Sequence, residues 1–245
     1  MSHTSAPARL GFLYPGHAAE DDYPLLGSMV EPPAQVTLVH TEFLEDAHTV
    51  EALSEMGSVS RLSKGAEALA GSAIESVMWT STSASFVLGL DGIRQQIDTL
   101  EKLLRVPAST TAMAFARAVK AIDAGKVAIA ATYPEDVAQR FREFLNHFDI
   151  EVVHLASRGI ETAAEVSTLE KDEVINFALA NTRNHADALL IPDTALHSVA
   201  WLTDLEKATG KPVLTANQVS FWEALRLCGK LTPQSGLGRL FESVP

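Results

Sequence analysis

The sequence predicts an α/β protein in which two sets of four parallel strands repeat one pattern. Three observations predict it. Short apolar runs recur, each followed by a turn of polar or small residues and then by a helical stretch. Eight such runs fall along the 245 residues, enough for two sets of four. The turns after equivalent runs also correspond, Pro15-Gly16 with Thr132-Tyr133-Pro134, and Thr80–Ser85 with Pro192–Ala195. Strands covered on both faces read as near-continuous apolar runs, which is the form these take.

The first four strand candidates are Leu10–Tyr14, Val36–His40, Ser76–Trp79 and a weaker one at Val106–Ala108. The second four are Val127–Ala131, Glu151–Leu155, Ala188–Ile191 and Val213–Thr215. Between them the clearest helical stretches are Asp91–Leu104, Ala112–Ala124, Glu135–Phe148, Lys171–Asn184 and Phe221–Cys228. In Glu135–Phe148 the apolar residues Val137, Phe141, Phe144, Leu145 and Phe148 mostly recur three or four apart, which puts them on one helix face.

Composition narrows the function. With 19 Lys+Arg against 31 Asp+Glu the net charge is −12, and no basic cluster exists to displace counterions from a phosphate backbone, so no nucleic-acid partner is expected. The hydrophobic share of 47% is enough to offset the conformational entropy of folding. The apolar stretches Val127–Ala131 and Ala188–Pro192 are far shorter than the ~20 residues of a membrane-spanning helix, so no membrane partner is expected either. The single cysteine, Cys228, permits no internal disulfide, and Met1–Leu10 lacks a basic segment followed by an apolar run, which together imply a cytoplasmic address.

In open α/β sheets ligands bind beyond the carboxyl ends of the strands, so the four corresponding turns are where chemistry is expected. Thr80-Ser81-Thr82-Ser83-Ala84-Ser85 is an unbroken run of small or hydroxyl residues, suited either to cradling a carboxylate or phosphate or to capping a helix. Asp193 follows an equally buried strand and reads as an acid or as an N-cap. Tyr133 offers a hydroxyl donor at the end of a third strand. Tyr14, His17, His197 and Trp201 are further cleft candidates. The histidines show no metal-ligand spacing, Gly236-Leu237-Gly238 has no strand before it, and neither a P-loop nor a nucleophile elbow occurs.

Several segments in order carry a resemblance: Gly11–Pro15, Thr82-Ser83 with Phe86, Ala131-Thr132-Tyr133 with Asp136-Val137, Phe221–Leu227, and Gly238–Phe241. On them the chain resembles the aspartate/glutamate racemase superfamily, and within it the branch holding maleate cis-trans isomerase and arylmalonate decarboxylase. The resemblance implies two flavodoxin-like halves, each a four-stranded parallel sheet flanked by helices, related by a pseudo-twofold axis. Residues 1–110 plus 218–245 would form the first half and 111–217 the second. It also implies a site in the cleft between the halves, no metal or organic cofactor, a small carboxylate substrate and a homo-oligomer. Enzymes of this kind use two cysteines, one from each half, beside a carbon that carries a carboxylate. The isomerase adds one of them to a double bond, and the decarboxylase keeps only the second.

The chain departs from that pattern, because Ser81 stands at the first cysteine position and Asp193 at the second. A serine hydroxyl needs an adjacent base before it attacks, and no histidine lies near Ser81 in the sequence, whereas a cleft carboxyl group can move a proton. The resemblance therefore implies isomerisation or proton transfer alpha to a carboxylate through an enediolate-like intermediate. Ser81 and Asp193 would be the reacting pair, with Thr82, Ser83, Tyr133, Thr194 and Pro15 around the substrate. A malonate-type decarboxylase and a non-catalytic carboxylate binder without thiols are the alternatives.

Overall fold

The computed structural model describes residues 6–242 and contains two four-stranded sheets, parallel throughout. The first holds β1 (Arg9–Pro15), β2 (Gln35–Thr41), β3 (Ser76–Trp79) and β4 (Ala108–Thr110), in the order β2-β1-β3-β4. The second holds β5 (Lys126–Ala131), β6 (Glu151–Ser157), β7 (Ala188–Ile191) and β8 (Val213–Thr215), in the order β6-β5-β7-β8. The two orders are identical once each strand is exchanged for its counterpart, so the repetition in the sequence is a repetition of topology. In each sheet the chain steps from the first strand to one edge and then crosses back over it, which leaves a crevice at the carboxyl ends of β1 and β3 and of β5 and β7.

All eight strands are present, and β3, β7 and β8 have the expected ends. β1, β2, β5 and β6 run one or two residues beyond their expected ends, and the weak fourth strand is shifted, at Ala108–Thr110 rather than Val106–Ala108. Pro107 has no N–H for a ladder; its carbonyl accepts from Val77 at 3.0 Å and the strand begins beyond it.

Helices α1 (Asp22–Met29), α2 (Val50–Met56), α3 (Val59–Leu69), α4 (Ser83–Phe86) and α5 (Gly89–Leu104) accompany the first sheet in sequence. They are followed by α6 (Thr111–Ala121), α7 (Glu135–Asn146), α8 (Ala163–Val166), α9 (Lys171–Asn181) and α10 (Leu202–Thr209). The chain ends with α11 (Ala216–Leu227) and α12 (Arg239–Glu242). Two expected helices stop early because the chain reverses at a left-handed residue: α6 before Asp123, at φ 54°, and α7 before Asp149, at φ 59°. The expected Lys171–Asn184 ends at Asn181, with the Thr182 hydroxyl donating back to Ala178. Helix α11 begins five residues earlier than its apolar pattern, at a capping box formed by Thr215 and Gln218.

Strand alternation sorts the interior. On β5, Val127, Ile129 and Ala131 face one core while Ala128 and Ala130 face another; on β7, Ala188 and Leu190 oppose Leu189 and Ile191 in the same way. The larger core draws on both sheets, from Phe12 and Trp79 to Phe141 and Leu214. Phe12 stacks on Phe221 at 6.0 Å, and Phe86 meets Phe141 at 5.3 Å. Burying side chains of this size contributes about 1.5–3 kcal/mol each. Helices α6 and α11 pack together, and between them the fully buried Glu223 is paired with Arg117 and Arg226. Among the described residues no helix is long and apolar enough to cross a membrane.

Candidate active site

The turns after β1, β3 and β7 converge on one pocket lying between the two halves. It is lined by Tyr14, Pro15, His17, Ser81, Ser83, Asp193 and Thr194, among others, and holds about 520 Å³ of space with its open mouth included. Ser81 comes from the first half and Asp193 from the second, so the structure brings the two expected reacting positions into one cavity.

The hydroxyl run after β3 divides by role. Thr80 donates its hydroxyl to the Leu13 carbonyl at 2.6 Å and its N–H to the same oxygen at 2.9 Å, which closes the strand. The Ser85 hydroxyl goes to the Ser81 carbonyl at 2.9 Å. The three between keep capacity in hand. Ser81 Oγ accepts from the Ala84 N–H at 3.2 Å and still has its own proton to give. Ser83 lines the pocket, and Thr82 is buried with its Oγ1 unpaired. Thr82, expected beside the substrate, is not among the residues that line the pocket. The capping reading is seen at Ser81, whose Oγ caps the turn into α4, and Ser81 and Ser83 also line the pocket.

Asp193 is 5% exposed and tightly held. Its Oδ1 accepts from the Ala195 N–H at 2.9 Å, and its Oδ2 accepts from the Thr132 hydroxyl at the end of β5. The Thr194 carbonyl accepts from the Tyr14 hydroxyl at 2.9 Å, which itself accepts from the Ala19 N–H at 2.9 Å and so ties β1 to the turn after β7. Burial, reinforced by the Asp193 charge, pushes the Tyr14 and Tyr133 hydroxyls well above the ordinary phenol range, so both remain proton donors. Tyr133 is placed otherwise than expected: its hydroxyl donates to the Pro192 carbonyl at 2.6 Å, and it is buried behind the turn that carries Asp193. Of the other candidates, Tyr14 and His17 line the pocket, while His197 pairs with Asp21 and Trp201 packs against the smaller core. Cys228 lies beyond the end of α11, its thiol donating to the Leu225 carbonyl and pushed up by burial.

The remaining wall was not legible in the sequence. Phe43, Asp46, Ala47 and His48 from the segment between β2 and α2 line the pocket with Leu53 and Met56 of α2. Asp46 accepts from the Ala163 and Ala164 N–H groups at 2.8 and 3.0 Å, capping α8 of the other half. His48 donates its N–H to the Glu161 carbonyl at 2.7 Å and its ring Nδ1 faces the Ile160 carbonyl at 2.9 Å. A segment with a single large apolar run of Phe43-Leu44 and otherwise polar residues gives no periodic signal, so only the fold reveals these contacts. At the rim, His17, Glu20 and His40 bring ligand-type atoms within 4.8 Å of one another; both rings are hydrogen bonded to Glu20 Oε1, at 3.1 and 3.3 Å. No described Lys or Arg lines the pocket, so an anion there is met by neutral donors.

The family model described as arylmalonate decarboxylase matches residues 28–241. The arylmalonate decarboxylase of Bordetella bronchiseptica is 25% identical over 177 residues, covering 70% of this chain and 72% of its own. The crystal structure of the maleate isomerase Iso from Pseudomonas putida S16 superposes with a TM-score of 0.87 at 20% identity, covering 96% of this chain and 98% of its own. A mutant of the maleate cis-trans isomerase of Nocardia farcinica, with a covalently bound succinylcysteine intermediate, gives 0.88 at 20% identity over 98% of this chain and 100% of its own. The paired sheets are thus the fold of those structures.

Proposed function

Since the chain belongs to the arylmalonate decarboxylase family, we propose that it is a cofactor-independent enzyme acting on a small carboxylic or dicarboxylic acid, by isomerisation or by proton transfer alpha to the carboxylate. One observation supports this reading: Ser81 and Asp193, which the sequence resemblance sets at the two cysteine positions, line one pocket from opposite halves. Ser81 and Ser83 line the pocket and supply hydroxyl donors for the substrate carboxylate, with Thr82 buried between them. Donors fixed before the substrate arrives also stabilise the extra charge of an enediolate, at about 3–4 kcal/mol apiece where such groups have been removed. Thr194 and Pro15 shape the wall beside them, and Tyr133 acts at one remove by holding the Pro192 carbonyl. Asp193 lines the same cavity with no described Lys or Arg in the lining, so its carboxyl group is placed to pass a proton to the carbon of a bound acid.

The test is exchange at the alpha carbon, followed in deuterium oxide with a panel of small mono- and dicarboxylic acids. Deuterium incorporation, or conversion of a cis to a trans double bond, is expected. A diacid that raises the melting temperature yet is never altered would instead mark a binding protein. The second reading, decarboxylation of a substituted malonate, is favoured by the name of the Bordetella bronchiseptica relative and needs only one protonating group. Carbon dioxide release from malonates distinguishes it from the first.

A further inference from the structure

We propose that His48 is the base of this site, taking the proton that the absent thiol of the first half would otherwise handle. The proposal rests on the carboxylic-acid reading above and gives it a substrate class, acids bearing a hydrogen on the alpha carbon.

His48 is only 8% exposed and lines the pocket it shares with Ser81 and Asp193. Its tautomer follows from its partner. The Ile160 carbonyl, 2.9 Å from Nδ1, can only accept, so Nδ1 carries the hydrogen and Nε2 carries the lone pair. Nε2 has no hydrogen-bond partner among the described residues, nor is it among the sealed, unpaired atoms of the interior. A histidine kept merely to fasten the two halves would need only Nδ1. This one is also braced by its own N–H on the Glu161 carbonyl and by the Tyr133 ring, edge to face at 5.6 Å. Braced on three sides, the ring presents one basic nitrogen to the cavity.

The step balances without any further reagent. Nε2 takes the alpha proton, the C–H bond breaks, and its electron pair passes into the carboxylate to give an enediolate held by the hydroxyls of Ser81 and Ser83. The Ile160 carbonyl stays on Nδ1–H throughout and holds the imidazolium ring so formed in place. That cation returns a proton to carbon, and in deuterium oxide it first exchanges with solvent and returns deuterium. Because His48 belongs to the first half and Asp193 to the second, the site has one proton-transfer group on each side of the cleft. The titratable groups facing His48 across the pocket are Asp46, Asp193, Tyr14 and His17, with Tyr133 against its ring.

The decisive variant is His48→Asn, whose amide can still donate to Ile160 but has nothing at the Nε2 position. It is expected to keep its melting temperature and its stabilisation by succinate. Its deuterium exchange should fall by roughly 10²–10⁴-fold, and the acid limb of the pH–rate profile should vanish. In His48→Ala, added imidazole is expected to restore part of the exchange. His48→Asn exchanging within a few-fold of the native protein, with the same pH profile, overturns the assignment while the carboxylic-acid reading stands. No exchange by the native protein with any acid bearing an alpha hydrogen overturns the assignment as well, and only if cis–trans conversion and carbon dioxide release are also absent does the carboxylic-acid reading fall with it.

Discussion

Thr132, at the end of β5, donates its hydroxyl to the carboxylate of Asp193, at the end of β7. Neighbouring strands of one sheet thus set the direction of the acid that the second half contributes to the cleft. Hydrogen bonds to charged groups are worth about 1.5–3 kcal/mol. Thr132→Val is therefore expected to reduce turnover by about 10–100-fold and to shift the pH–rate profile, with Thr132→Ser restoring both. A turnover unaffected by Thr132→Val would show that the contact only stabilises the fold.

Ser81→Cys offers a direct mark on the pocket. The single native thiol, Cys228, is half-buried and pushed up by that burial, so it reacts slowly near neutrality. A thiol at position 81 is expected to alkylate faster than Cys228, and a saturating diacid is expected to slow that labelling at least several-fold. Mass spectrometry of the labelled peptides measures both.

The backbone of α4 is held in place by Gln96, whose Nε2 donates to the Gly57 and Ala84 carbonyls, each at 2.9 Å. A methyl group on Gly57 would run into the Ala84 carbonyl oxygen and lie 2.8 Å from Gln96 Nε2. Gly57→Ala is expected to destabilise by about 1–3 kcal/mol, as overpacked cores do, and to weaken diacid binding by displacing the 81–83 hydroxyls. Calorimetric melting with and without succinate checks the pair of effects.

Asp22 on α1 accepts from the N–H groups of Ser198 and Val199 and from Asn217 Nδ2, all through Oδ2. Burial raises its carboxyl above the ordinary 3.8 despite those donors. A carboxyl raised by folding contributes stability that is complete below 3.8 and is lost as pH rises through the higher folded value. Asp22→Asn supplies the same oxygen without titrating. As pH rises from below 3.8 toward neutrality, the native protein's melting temperature is expected to fall relative to that of Asp22→Asn.

Most of the scaffold was readable because a buried parallel strand needs an unbroken apolar run, and β3, β7 and β8 show one bounded by turn residues. Ser81 and Asp193 were readable because they follow such runs directly. The start of α11 was not: Asn217, Gln218 and Ser220 look solvent-facing, yet each is buried and bonded, to Tyr23 and Asp22, to the Leu237 carbonyl and to Thr111. His48 was hidden for a related reason. Its place in the cleft depends on the Ile160 and Glu161 carbonyls, 112 and 113 residues away, and spacing along the chain carries no trace of such partners.

The larger apolar interior passes without a break from one sheet to the other. Neither sheet can melt away and leave its twin intact, so unfolding is expected to be a single cooperative transition. A molecule captured at the seam therefore lends its binding energy to the whole chain, and saturation should move the entire melting curve upward without splitting it.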